Sequence, residues 1–292
     1  NMTIGDVEGD NTQYNSQVGR GTLYVNDGAI VNVRNAIGVN PAGGGNTTEL
    51  LLVVGQFGIV QLSGGTIQVG GVTGEDNRAT PDTVQVINDG IIRGSGRINT
   101  GVFRNRYLGQ VRVDAGQSLV VDSASDFSTG GGATPSEPLV NYGRIQVFGN
   151  SQAQAKLEFI RATSDPLSQS PIRPLLNLPW TVPPAPQGAF VGGQISAQYA
   201  DLRFGSGLEN RSMLAFTAGT NNITGRVFSV DDGVIDPDGD GDTGDTAQVL
   251  VSGPGTTAVF HDDLAFGTGA DLNLVDGGKV VVLNQHSFIM GG

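Results

Sequence analysis

A chain that repeats one short alternating phrase around a glycine is restricted in how it can fold. Leu23 to Val33 reads LYVNDGAIVNV, and Leu272 to Val282 reads LNLVDGGKVVV. Both follow one frame: apolar, any, apolar, any, Asp-Gly, small, any, Val, any, Val. Alternation with period two marks a half-buried strand, and the runs are rich in Val, Ile and Leu. Looser copies start at Val60, Val84, Val111 and Asn141. Their turn glycines Gly65, Gly90, Gly116 and Gly143 are separated by 90−65 = 25, 116−90 = 26 and 143−116 = 27 residues. A near-constant period of roughly 20–50 residues marks stacked repeats. An Asp-Gly link closes an antiparallel hairpin or turns a corner within one coil of a solenoid. The steady period favours the corner, because every turn of a regular coil has the same perimeter. No long segment places apolar residues at helical spacing. The expectation is one all-β domain over residues 1–292, a parallel β-helix (β-solenoid) with coils of about 25 residues.

A second phrase, Leu-x-Phe, occurs at Leu157/Phe159, Leu202/Phe204, Leu214/Phe216 and Leu264/Phe266. The middle pair lies 214−202 = 12 residues apart, about half such a coil. Inward Phe rings on neighbouring strands are expected to stack along the core.

Composition narrows the function. With 38% hydrophobic and 15% charged residues the chain can bury a core, and its 46 Gly interrupt that core with turns. A net charge of −12 argues against a nucleic-acid partner, whose phosphates need a basic face. It suits a divalent-cation binder or a cell exterior. No apolar run approaches the roughly 20 residues that span a bilayer, so no membrane insertion is expected. The absence of Cys removes disulfides and thiolate metal sites. The first residue is Asn1. An exported chain with a cleaved signal peptide, extracellular or on the cell surface, is the expectation, and a trimmed chain would read the same way.

The stretches GLENRSMLAFTAGTNNITGRV (Gly207–Val227) and VLVSGPGTTAVFHDDL (Val249–Leu264) resemble the Gly-rich repeats of large exported surface proteins of planctomycete-type bacteria. They are similar in style to autotransporter passenger repeats. The likeness is clearest over residues 139–292. The resemblance implies a right-handed β-helix placed on or outside the cell.

Two segments interrupt the repeat. Residues 165–187 read DPLSQSPIRPLLNLPWTVPPAPQ, with seven prolines and the only Trp, Trp180. Proline donates nothing to a sheet ladder, so this segment reads as an extended, polyproline-like excursion. Ile172, Leu175, Leu176, Leu178, Trp180 and Val182 make it too apolar for a solvated linker. It folds back on its own wall or docks on a neighbouring subunit. Residues 231–246 form an acidic loop, in which Asp236, Asp238, Asp240 and Asp242 alternate and Asp245 follows. Aspartates at that spacing with Gly between them can curl round Ca²⁺, a hard cation that takes about six to eight oxygens. The loop begins like an EF-hand, but its twelfth position is Ala247 instead of Glu. A Ca²⁺ site is the expectation and a solvated acidic loop the alternative.

Signs of chemistry are few. His261-Asp262-Asp263 is the only acid/base-like cluster, and it sits where a coil corner is expected. Arg93, Arg97, Arg104 and Arg106 lie close together, with no carboxylate at a repeat-related spacing. No nucleophile elbow, phosphate loop or zincin motif occurs. No catalytic residues and no enzymatic activity are expected.

The repeated opening phrase then suggests assembly. The final stretch, GKVVVLNQHSFIMGG, is still repeat-like and closes on Phe288, Ile289 and Met290. Uncapped solenoid ends can stack head to tail, and heterologous contacts that do not close give filaments. A donated strand serves equally well. The candidate contact residues are Trp180, Leu178, Phe288, Ile289, Met290, Leu23 and Val25. The expectation is a self-assembling structural subunit of an extracellular fibre or surface layer, whose partner is a second copy of itself. The alternative is a monomeric surface adhesin or a module binding cell-surface polysaccharide, with a polysaccharide-degrading enzyme third.

Overall fold

The alternating phrases become strands, and the glycines between them become corners. A computed structural model describes residues 2–4, 20–33, 50–69, 84–123, 139–160, 174–179, 192–230, 247–283 and 285–291. The first coil holds β1 (Met2–Ile4), β2 (Gly21–Asn26) and β3 (Ile30–Val33). The second holds β4 (Leu50–Val54) and β5 (Gly58–Val69), and the third β6 (Val84–Asn88) and β7 (Ile91–Asn99). The fourth comprises β8 (Val102–Asn105), β9 (Gln110–Asp114) and β10 (Ser118–Asp122). The fifth comprises β11 (Leu139–Asn141), β12 (Arg144–Phe148) and β13 (Ala155–Ile160). The sixth comprises β14 (Leu175–Asn177), β15 (Gln194–Gln198) and β16 (Ala200–Phe204). β17 (Leu208–Asn210), β18 (Met213–Ala218) and β19 (Thr220–Thr224) form the seventh. β20 (Val227–Ser229), β21 (Gln248–Ser252) and β22 (Thr257–Phe260) form the eighth. The ninth is β23 (Leu264–Phe266), β24 (Asp271–Val275) and β25 (Lys279–Val282), and β26 (Phe288–Met290) opens a tenth.

The strands form three walls. Wall A is a ten-stranded sheet that takes the first strand of each coil, from β1 to β26. The second sheet has sixteen strands and bends into two arms. Arm 1 runs from β2 to β24 and arm 2 from β3 to β25, with β5 and β7 long enough to pass through both. The pairings are parallel throughout. The described residues are all-β with no helix, a parallel β-solenoid. The Asp-Gly phrases are corners, since β2 and β3 on either side of Asp27-Gly28 both pair with the next coil and not with each other. The two copies of the phrase occupy the same place, arm 1 to arm 2, in the first and ninth coils.

Period two sends every second residue inward. In β5 the inward side chains Val60, Leu62, Ile67 and Val69 are all buried. Register keeps such positions in rows: on arm 1, Val111, Ile145, Ile195, Leu214 and Val249 stack in successive coils. Removing one such side chain leaves a void with no neighbour able to fill it, which costs about 2–5 kcal/mol for Leu or Ile to Ala.

The coils are not of one length. Along wall A, Asn88 and its register partner Asn105 are 17 residues apart. Asn210 and Ser229 are 19 residues apart, whereas Asn105 and Asn141 are 36 residues apart. The expectation of a constant coil length is therefore corrected. Only the part of a coil that lines the core is held constant by register. Corners admit insertions at little entropic cost, because loop closure grows only logarithmically with length. The four evenly spaced glycines are not equivalent positions. Gly90 and Gly143 turn from wall A into arm 1, whereas Gly65 and Gly116 turn from arm 1 into arm 2. Their even spacing compares different corners of coils of different lengths.

Phe159 and Phe204 are in register on arm 2 and stack, with centroids 6.3 Å apart and planes 10° off parallel. The other Leu-x-Phe pairs do not continue that stack. Phe216 lies on arm 1 and Phe266 on wall A, so the short spacing from Leu202 to Leu214 is a step between walls. Phe216 packs edge-on against Phe260, 6.2 Å away.

The Pro-rich segment is not one excursion. Its centre, Leu175–Asn177, is a rung of wall A, paired with β11 and β17. Proline tolerates this because Pro174 and Pro179 flank the strand and do not interrupt it. Residues 165–173 and 180–187 lie outside the described residues.

Candidate functional site: an asparagine corner and an open edge

Two features stand out from the repeating core. The first is the corner between wall A and arm 1. Asn88, Asn105, Asn141, Asn177 and Asn210 end successive wall-A strands, and each is fully buried. Each Nδ2 donates to the next Oδ1 at 2.7 Å, from Asn88 to Asn105, then Asn141, Asn177 and Asn210. The row ends where Asn210 Nδ2 donates to Ser229 Oγ at 3.1 Å. The second proton of Asn88, Asn105, Asn177 and Asn210 is directed to a backbone carbonyl at the start of an arm-1 strand, at 3.2–3.3 Å. At the start of the row, Gly90 N–H donates to Asn88 Oδ1 at 3.2 Å. Burying an unpaired amide costs about 1–3 kcal/mol. The row removes that penalty and ties the third to eighth coils together at a fixed height.

The same corner is crowded. A Cβ on Gly143 would collide with the carbonyl oxygens of Arg106 and Gly109. Gly90, Gly109 and Gly193 meet equivalent obstructions. The sequence marks Asn141 and Gly143 as a turn without revealing the row, although an Asn ends five successive wall-A strands, β6, β8, β11, β14 and β17.

The second feature is the edge at the ninth coil. Among the described residues, β24, β25 and β26 each pair on one side only, with β21, β22 and β23. Their other backbone edge is unpaired. Phe288 continues the inward row of Leu264, and Met290 that of Phe266. Leu264 and Phe266 are buried, whereas Phe288 is 47% and Met290 59% exposed. Leu274 is 52% exposed, although its partner Val251 is fully buried. These side chains continue core rows and are exposed among the described residues. Ile289, on the outward side of wall A, is exposed as well.

The opposite edge differs. β1 pairs only with β4, and β2 and β3 only with β5. Leu23 turns inward and is half-buried, and Val25 is fully buried. The sequence-based choice of Val25 as a contact side chain is therefore corrected: the pleat points it into the core. Among the described residues the backbone edges of β1, β2 and β3 are unpaired there, with Tyr24 on β2 and Ile30 on β3 as exposed large apolar side chains. Leu178 sits at the asparagine corner, where its N–H donates to Asn141 O at 2.9 Å and its carbonyl accepts from Gly193 N. It is part of a coil and does not belong to a projecting arm. Trp180, and Asp236, Asp238, Asp240, Asp242 and Asp245 of the proposed Ca²⁺ loop, lie outside the described residues.

The charged clusters also find places. His261-Asp262-Asp263 forms the corner between arm 2 and wall A. There Asp262 Oδ2 accepts from Gly225 N at 2.7 Å and Asp263 Oδ1 from Ser287 N at 2.8 Å. Arg97 pairs with Asp122, and Arg106 with Asp89 at 3.0 Å, each across neighbouring coils. The expectation that no carboxylate sits at a suitable spacing is thus corrected for Arg97 and Arg106. The partners sit 25 and 17 residues away, respectively, because the coils differ in length.

No family model matches the chain, and comparisons with curated proteins and with solved structures likewise give no match.

Proposed function

We propose that this chain is a structural subunit of an extracellular fibre or surface layer, assembled head to tail. The observation that carries the reading is the edge of the ninth coil, where an unpaired β-edge coincides with exposed core side chains at Leu274, Phe288 and Met290. A long exposed apolar β-edge is a template for pairing with another chain. The occupant proposed here is the first coil of a second copy, whose strands β1, β2 and β3 offer an edge of their own. Wall A has ten strands and each arm nine, so stacking either displaces one of β1 and β26 or leaves one rung of each arm unfilled. Displacement amounts to exchange of a donated strand. The resemblance of Gly207–Val227 and Val249–Leu264 to exported surface repeats supports an extracellular setting. The aspartates Asp236 to Asp245 remain a proposed Ca²⁺ site on the connection from wall A to arm 1 in the eighth coil.

Sedimentation velocity over a concentration series tests this reading, with Ca²⁺ and with chelator. The unaltered chain is expected to form larger species as concentration rises, and Leu274→Lys with Phe288→Lys to remain a single small species. A monomer at all concentrations, or assembly unaffected by the two lysines, contradicts it. Assembly lost in chelator assigns the Asp loop to the joint.

A further inference from the structure

The outward side of arm 1 carries a row that neither the core nor the edge employs. One residue per coil, in register, it reads Tyr24, Gln61, Arg93, Arg112 and Gln146. Tyr24 is 67% exposed, and both arginines are exposed. Like charges directly opposite on neighbouring strands are destabilising. Their presence needs a reason in a chain with 28 Asp and Glu against 16 Lys and Arg.

The arginines are held by one edge only. Arg93 Nε donates to Gln61 Oε1 at 2.6 Å, and Arg112 Nε donates to Asp114 Oδ1 at 2.9 Å. Among the described residues, their terminal nitrogens have no hydrogen-bond partner. Each guanidinium is thus fixed in place with its two-nitrogen fork unused. Asp114 is the only carboxylate on β2, β5, β7, β9 and β12, and Arg144 adds a third cation in the next row.

We propose that this row binds an acidic polysaccharide lying along the solenoid axis across the first five coils. Strands repeat about every 4.8 Å, close to the advance of one pyranose ring along an extended glycan. A guanidinium fork matches a carboxylate or sulfate oxygen pair in geometry and charge. The amides of Gln61 and Gln146 both donate and accept, as sugar hydroxyls require. Tyr24 offers an aromatic face to a ring's C–H side. The net charge of −12 does not forbid this, because exposed charges beyond about 8 Å are largely screened at physiological salt. Nucleic acid fits less well, since its affinity rests on many phosphate contacts and the row carries two cations, Arg93 and Arg112. The proposal stands apart from stacking: the row lies on the side wall.

Isothermal titration calorimetry of the full chain tests it, with oligogalacturonate and dextran sulfate as charged probes and dextran and single-stranded DNA as controls. Binding is expected to at least one charged glycan and not to dextran, weakening with added salt. The charged glycan that binds tells carboxylate from sulfate recognition. Arg93→Gln with Arg112→Gln is expected to weaken binding about tenfold or more. Tyr24→Ala is expected to weaken it less, and Arg203→Gln, on arm 2, to leave it unchanged. Circular dichroism checks that each variant is folded. No binding to either charged glycan overturns the proposal, as does equal binding by the folded double variant or tighter binding of DNA.

Discussion

The two corners that flank arm 1 are built by different physics. The corner from wall A is closed by side chains: buried asparagines bonded from coil to coil, over glycines that leave no room for a Cβ. The corner into arm 2 is closed by backbone conformation. Gly116 there has φ of +75°, and an added Cβ would meet only Ala153 Cβ at 3.9 Å. Gly28 and Gly277, in the two copies of the Asp-Gly phrase, are equally open. The asparagine corner fixes the height of the third to eighth coils, whereas Gly28, Gly116 and Gly277 only redirect the strand, although Gly65 and Gly278 at the same corner are crowded by Asn26 O and Val251 O.

That difference ranks the consequences of substitution. Asn141→Leu should be worst, because it leaves one Nδ2 proton of Asn105 and the Oδ1 of Asn177 buried without their partner. A loss of about 3 kcal/mol or more is expected in urea unfolding. Gly143→Ala should come next, at about 2–3 kcal/mol, since backbone carbonyls must move to admit the methyl group. Gly116→Ala should cost about 1–2 kcal/mol, the left-handed penalty of an ordinary residue. Gly116→Asn should cost least, because Asn tolerates that conformation best among non-glycine residues. If Gly116→Ala proved more damaging than Gly143→Ala by the same measurement, the contrast between the corners would collapse.

The same contrast explains what could be read from the sequence. Period-two alternation is a local signal, so strands such as β5, β9 and β12 were legible, as was the corner at each Asp-Gly. The asparagine row was not. Its members are separated by 17, 36, 36 and 33 residues in turn, and an isolated Asn reads simply as a turn residue. Register, not spacing, makes them neighbours. The even spacing of Gly65, Gly90, Gly116 and Gly143 pointed to the right fold through positions that are not equivalent. At the edge, Phe288, Ile289 and Met290 were legible as an apolar close to a repeat. The inward direction of Val25 depends on which face of β2 meets the core. The row from Tyr24 to Gln146 had no sequence signal at all, because its five members stand in five different coils.

The proposed assembly rests on the edge of the ninth coil, and electron cryomicroscopy of the purified chain tests it directly. Filaments are expected in which the rows through Leu274 and Phe288 continue into the first coil of the next copy. Their axial repeat should be nine rungs, roughly 43 Å, if one of β1 and β26 displaces the other, or ten rungs, roughly 48 Å, if both remain. Separate particles of single-chain size at every concentration, with the edge of β24, β25 and β26 bare, would contradict it.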